Sequence, residues 1–86
     1  MEILYSAKFI KQYSKLSSEI KKDFEVKESF FKNDNFDTRL KTHKLHGRFE
    51  GFLSFSVNYK YRIVFEYIND KKYVRFHAIG NHDIYE

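Results

Sequence analysis

The sequence predicts one α+β domain, in which an N-terminal strand and a helical hairpin pack on one face of an antiparallel sheet in the order β-α-α-β-β-β. Three observations lead there. Apolar residues recur at helical intervals as far as Phe31, the period changes to two after Phe49, and 86 residues allow one modest core.

Ile3-Leu4-Tyr5 is a short apolar run and reads as the opening strand. Ser6 can cap a helix, because its hydroxyl accepts from exposed first-turn amides. Phe9, Ile10, Tyr13 and Leu16 then follow at helical spacing. Ser17 and Ser18 break the pattern and can cap a second helix, where Ile20, Phe24, Lys27 and Phe31 recur three and four apart with Phe30 beside them. Glu28 and Lys32 stand at i,i+4 in the favourable order. Asn33-Asp34-Asn35 ends that helix with turn formers. The two helices form an αα-hairpin.

From Phe49 onward Leu53, Phe55 and Val57 alternate with Phe52, Ser54 and Ser56. Residues 61–68 are β-branched and aromatic, as in a central strand. Asn69-Asp70-Lys71-Lys72 reads as a hairpin loop, and 73–79 as the last strand, stopped by Gly80. With the hairpin on one face, the other face of the sheet is expected to be open.

Composition narrows the class. The chain has no Cys, Pro or Trp, so disulfide scaffolds, thiolate metal sites and Cys nucleophiles are excluded. No apolar run approaches the roughly 20 residues of a membrane helix, and the first residues lack a signal-peptide pattern. A soluble, intracellular protein with no membrane association is expected. The 42% hydrophobic content argues against disorder.

The formal net charge is +4, and its location matters more than its size. Acids and bases cancel in residues 1–38 and again in 49–86. The excess lies in residues 39–48, which carry Arg39, Lys41, Lys44, Arg48, His43 and His46 and no acid. Such a block is either an electrostatic footprint for a polyanion or a solvated loop.

The chain has four His. His43 and His46 have the spacing of a metal pair, but a zinc site needs three or four ligands and no Cys or tight acidic partner accompanies them. His77 sits mid-strand, where a structural role is expected. His82 follows Gly80 in a terminal loop. Arg62 is a charge within an apolar strand, costly unless it meets an anion or pairs with Glu66 farther along the same face. One Arg, a His at each end of the sheet segment, a basic rim and the near-terminal Tyr85 suit RNA cleavage. That reaction needs a base for the ribose 2′-OH, a cation for the transition state and an acid for the departing 5′-oxygen.

Three segments together carry a family resemblance: 43–52 (HKLHGRFEGF), 61–65 (YRIVF) and 80–85 (GNHDIY). In order and spacing they resemble the RelE/ParE superfamily of bacterial type II toxins, closest to the YafQ and YoeB types, over nearly the whole chain. The resemblance implies a RelE-like fold and a ribosome-dependent, metal-independent mRNA interferase. It also implies a cytoplasmic protein with no cofactor, acting on mRNA in the A site of the 70S ribosome. A cognate antitoxin would silence it, with the free toxin a monomer and the complex of higher order. By resemblance His43 is the candidate base, Arg62 the transition-state clamp, His82 the candidate acid and Tyr85 a substrate-contacting aromatic. Arg39, Lys41, Lys44, Arg48 and Lys60 are candidate RNA contacts. Ser56 and Lys60 stand where YafQ-like toxins carry His and Asp, and Lys60 could replace the lost groups with positive charge. Leu53 and Phe55 stand where RelE has two Lys. A ParE-like gyrase inhibitor, or an inert antitoxin-binding module, is the other reading of the same fold.

Overall fold

The computed structural model describes residues 2–81, and the candidate residues His82 and Tyr85 lie outside them. The order is β1 (Glu2–Tyr5), α1 (Ala7–Ser14), α2 (Ser18–Asn33), β2 (His43–Lys44), β3 (Leu53–Ser56), β4 (Arg62–Ile68) and β5 (Tyr73–Gly80). Two 3-10 turns, Thr38–Leu40 and Gly47–Phe49, lie in the connection from α2 to β3. Among the described residues no helix is long and apolar enough to cross a membrane.

Both helices begin where their Ser caps predict. Ser6 accepts from the Phe9 amide and donates its own proton to the His77 carbonyl, so one side chain starts α1 and ties it to β5. Ser17 accepts from the Ile20 amide. At the far end of α2, the Asn35 side chain donates to the Phe31 carbonyl and satisfies a last-turn acceptor.

The sheet runs β1-β5-β4-β3-β2. Its pairings are antiparallel apart from β1 with β5, which is parallel. β1 therefore runs in the same direction as β5 and β3, with the two helices between β1 and the rest of the sheet in the chain. Phe9, Phe24 and Phe31 from the helices pack on Phe55, Phe65 and Phe76 from the sheet, with Leu40 from the connecting turn. Phe31 lies at the centre, its ring centroid 4.9 Å from Phe55, 5.0 Å from Phe65 and 5.3 Å from Phe76.

One irregularity sets which residues face outward. Val64 pairs with Ala78 but Phe65 pairs with Phe76, so His77 is the extra residue of a β-bulge. With strict alternation Phe76 and Ile79 would point to opposite faces. The bulge brings both into the same core.

The second face is less open than expected. Ser54, Val64 and Ala78 are buried although they point away from the helices. The chain between β2 and β3 folds back, with the Leu45 amide donating to the Phe52 carbonyl and the Phe52 ring centroid 5.2 Å from that of His77.

Candidate functional site

Cross-strand partners share a face of a sheet. His43 is opposite Ser54, and Ser54 is opposite Val64. Ser56 is opposite Arg62, and Arg62 is opposite Gly80. His43, Ser54, Ser56, Val64 and Arg62 therefore lie on one face, the one turned away from the helices. Gly80 contributes no side chain beside Arg62.

His43 is exposed on the edge strand, and its Nδ1 lies 3.0 Å from the Lys41 carbonyl oxygen. A carbonyl only accepts, so Nδ1 carries the proton in this hydrogen bond and Nε2 keeps its lone pair in the neutral ring. Nε2 is thereby the basic atom. Arg62 is half-buried. It donates to Ser56 Oγ at 2.9 Å and to the Asn58 carbonyl at 3.3 Å. Both of these partners are neutral, so among the described residues the guanidinium is oriented without its charge being cancelled. Glu66, the ion-pair partner on one of the two readings of Arg62, is held instead by its cross-strand neighbour Arg75 at 3.0 Å.

Because β2 is only two residues long, the edge of β3 is unpaired beyond Ser54. A cleft of about 340 Å³ opens there, lined by Lys27, Arg39, Lys41, Ser56, Asn58, Tyr59 and Arg62. Among the described residues no carboxylate lines it. Arg39 already has partners: it binds Asp37 through two nitrogens, at 2.8 and 3.0 Å, and its guanidinium lies 3.6 Å from the Phe30 ring centroid. The hydrogen bonds from Arg39 hold the Asp37 carboxyl down at about 2. A larger apolar cleft between β1, α1 and α2 holds neither His nor Arg.

No protein-family model matches the chain, and no curated protein matches it in sequence. Solved structures do match in shape. Escherichia coli YafQ superposes with a TM-score of 0.79 at 18% identity, covering 98% of this chain and 96% of YafQ. The YoeB/ParE toxin from Agrobacterium tumefaciens gives 0.80 at 14% identity, covering 95% and 99%. YafQ in the Escherichia coli DinJ-YafQ toxin-antitoxin complex gives 0.75 at 20% identity, covering 96% and 93%. The chain has the RelE/YafQ toxin fold.

On this fold the sequence-selected residues separate into groups. His43 and Arg62 share a face, and Lys41 joins Arg62 at the cleft. Lys44 alternates with His43 along β2, so it points to the opposite side, opposite Leu53. Arg48 sits on the second 3-10 turn, 5.4 Å from the Phe49 ring centroid. Lys60 is exposed in the β3–β4 turn and lines a different hollow, with Glu19 and Asp23. Among the described residues no three His, Cys, Asp or Glu side chains converge as a metal site.

Lys27 and Tyr59 were not selected from the sequence as site residues. Lys27 had a visible signal, a cation at a position of the buried stripe of α2. Tyr59 had none, because one Tyr among seven says nothing of exposure.

His77 is half-buried and its ring meets Phe52, which fits the structural role expected of it. Burial, followed by the positive charge of Lys8, lowers its pKa, against an opposing pull from Glu66 and with a further push from Arg75. The folded state thus favours the neutral ring. As pH falls below the ordinary value of about 6.5, the unfolded chain binds the proton first, so stability present above that value is lost on acidification. Thermal melts should show a lower Tm at pH 5.5 than at pH 7.5. His77→Gln should reduce that difference, and an unchanged difference would remove His77 as its source.

Proposed function

We propose that the protein is the toxin of a type II toxin–antitoxin pair and acts as a ribosome-dependent, metal-independent endoribonuclease on mRNA in the A site. The observation that supports this most is the shared sheet face of His43 and Arg62, the one bonded through Nδ1 so that Nε2 is its basic atom, the other held among the described residues by neutral partners. At standard strand spacings their Cα atoms are roughly 12 Å apart. The imidazole, the guanidinium and one phosphodiester between them can fill that span.

On this reading His43 Nε2 takes the proton of the ribose 2′-OH. The 2′-oxygen attacks the adjacent phosphorus, and Arg62 stabilises the added negative charge. The bond to the 5′-oxygen breaks, and that oxygen takes a proton from His82. The products are a 2′,3′-cyclic phosphate and a 5′-hydroxyl. Tyr85 contacts the substrate. Lys41, at the cleft with Arg62, supplies positive charge beside the RNA path, and Arg39, Lys44, Arg48 and Lys60 add to the positive field from farther round the surface. The modest net charge agrees with a protein that relies on the ribosome to present its substrate.

The toxin–antitoxin complexes among the structural matches support a cognate antitoxin as partner. An acidic or amphipathic antitoxin segment suits the basic groove, and the free toxin would be a cytoplasmic monomer. The double variant His43→Ala, His82→Ala should lose growth arrest, and EDTA should not stop cleavage by the parent protein. Toxicity retained in the double variant, with defects in DNA supercoiling, would replace this reading with ParE-like gyrase inhibition. No toxicity from the parent protein would favour an inert antitoxin-binding module.

A further inference from the structure

Lys27 occupies the inward stripe of α2, between Phe24 and Phe31, where an apolar residue is expected. Its ammonium reaches past the core to the open edge of β3 and donates to the Val57 carbonyl at 2.8 Å. That bond satisfies an edge acceptor, but an ammonium has three donors. The cleft it lines also holds Lys41 and Arg62 and, among the described residues, no carboxylate. Asp37 offsets the charge of Arg39, whereas the described partners of Lys27 and Arg62 are neutral.

Tyr59 stands at the same cleft and is 91% exposed. The turn that presents it is held firmly: Asn58 Oδ1 accepts from the Lys60 and Tyr61 amides, and the Val57 amide donates to the Tyr61 carbonyl. Packing gains almost nothing from a ring in this position. Its free face, next to a cationic cleft, is what a nucleobase needs for stacking.

We infer that the cleft at the open edge of β3 is a nucleotide subsite, in which one phosphate of a single-stranded RNA sits among Lys27, Lys41 and Arg62 and the attached nucleoside stacks its base on Tyr59. RNA as the source of the nucleotide rests on the proposed nuclease reading. The binding itself needs neither the ribosome nor His43. The cleft volume of about 340 Å³ suits a phosphate and its ribose, with the base outside on the ring. An acidic peptide would satisfy the cations but has no use for the exposed ring.

The test is an NMR titration of the full chain with adenosine 3′-monophosphate, inorganic phosphate, adenosine, an acidic peptide and a short single-stranded oligoribonucleotide. The nucleotide should bind more tightly than phosphate or adenosine and shift the amides of residues 56–62. Tyr59→Ala should weaken the nucleotide about fivefold or more, the scale of one base–aromatic stack, and leave phosphate unchanged. Tyr59→Phe should retain binding. Lys27→Gln should weaken both nucleotide and phosphate. Lys41→Gln, in an exposed loop, carries the same expectation if Lys27→Gln disturbs the fold. The oligonucleotide should bind more tightly than the mononucleotide, and His43→Ala should retain binding. Equal affinity for phosphate and nucleotide, indifference to Tyr59→Ala, or shifts elsewhere on the surface would overturn the subsite. Tighter binding of the acidic peptide than of the oligonucleotide would assign the cleft to a protein and overturn it too. Equal affinity for oligonucleotide and mononucleotide would overturn RNA as the source. Loss of cleavage activity with nucleotide binding intact would count against the nuclease reading, not against the subsite.

Discussion

Arg62→Ala is expected to slow RNA cleavage by about 10²–10³-fold, the usual cost of removing one preorganised donor from a developing negative charge, while the domain stays folded. The fold should survive because Arg62 is half-buried on the face away from the core, and its two partners are neutral oxygens that water can satisfy. No described carboxylate would be left unpaired, since Glu66 belongs to Arg75. Arg62→Lys keeps the charge but loses the planar fork that grips two phosphate oxygens, so it should recover only part of the rate. Single-turnover cleavage on programmed ribosomes, alongside thermal melts, separates the two effects. A cleavage rate unchanged in a folded Arg62→Ala protein would remove Arg62 from the chemistry.

Phe31→Ala is expected to destabilise the protein by about 3–5 kcal/mol, the range for deleting a buried phenyl ring. Phe31 is 0% exposed and its ring stacks on Phe55 and meets Phe65 and Phe76 edge-on. The cavity would open where α2 joins three strands, and no flexible side chain stands ready to fill it. Domains are stable by only about 0.05–0.15 kcal/mol per residue, so a chain of 86 residues would lose a large part of its stability. The urea midpoint should fall steeply with little change in slope. Phe36→Ala is the control, because Phe36 is 54% exposed and should cost little. Similar midpoints for the two variants would contradict the assigned core.

Much of this arrangement is legible in the sequence, and particular residues show why. Ser6 and Ser17 mark helix starts because capping is local chemistry that needs no tertiary context. The change of period after Phe49 marks the sheet for the same reason. The charge block at 39–48 is visible by counting, but its division is not: whether Lys44 stands beside His43 or behind it depends on strand alternation in a strand of two residues. The bulge at His77 breaks the alternation that a reading of 73–79 relies on, and only the demand to bury both Phe76 and Ile79 reveals it. The parallel pairing of β1 with β5 and the fold-back over Val64 and Ala78 are long-range contacts with no local signature. The meeting of Lys27 with Tyr59 is of the same kind, since one lies on a helix and the other in a strand turn far along the chain. The resemblance placed His43 and Arg62 as partners, and the strand register puts them on one face.

The central claim is that His43 and Arg62 serve cleavage of mRNA on the ribosome. Primer-extension mapping of cellular mRNA after brief induction tests it most directly. Cuts within codons, in the reading frame of translated messages and absent from the Arg62→Ala strain, are the predicted result. Growth arrest with intact messages, or cuts that ignore the reading frame and persist in that strain, would contradict it.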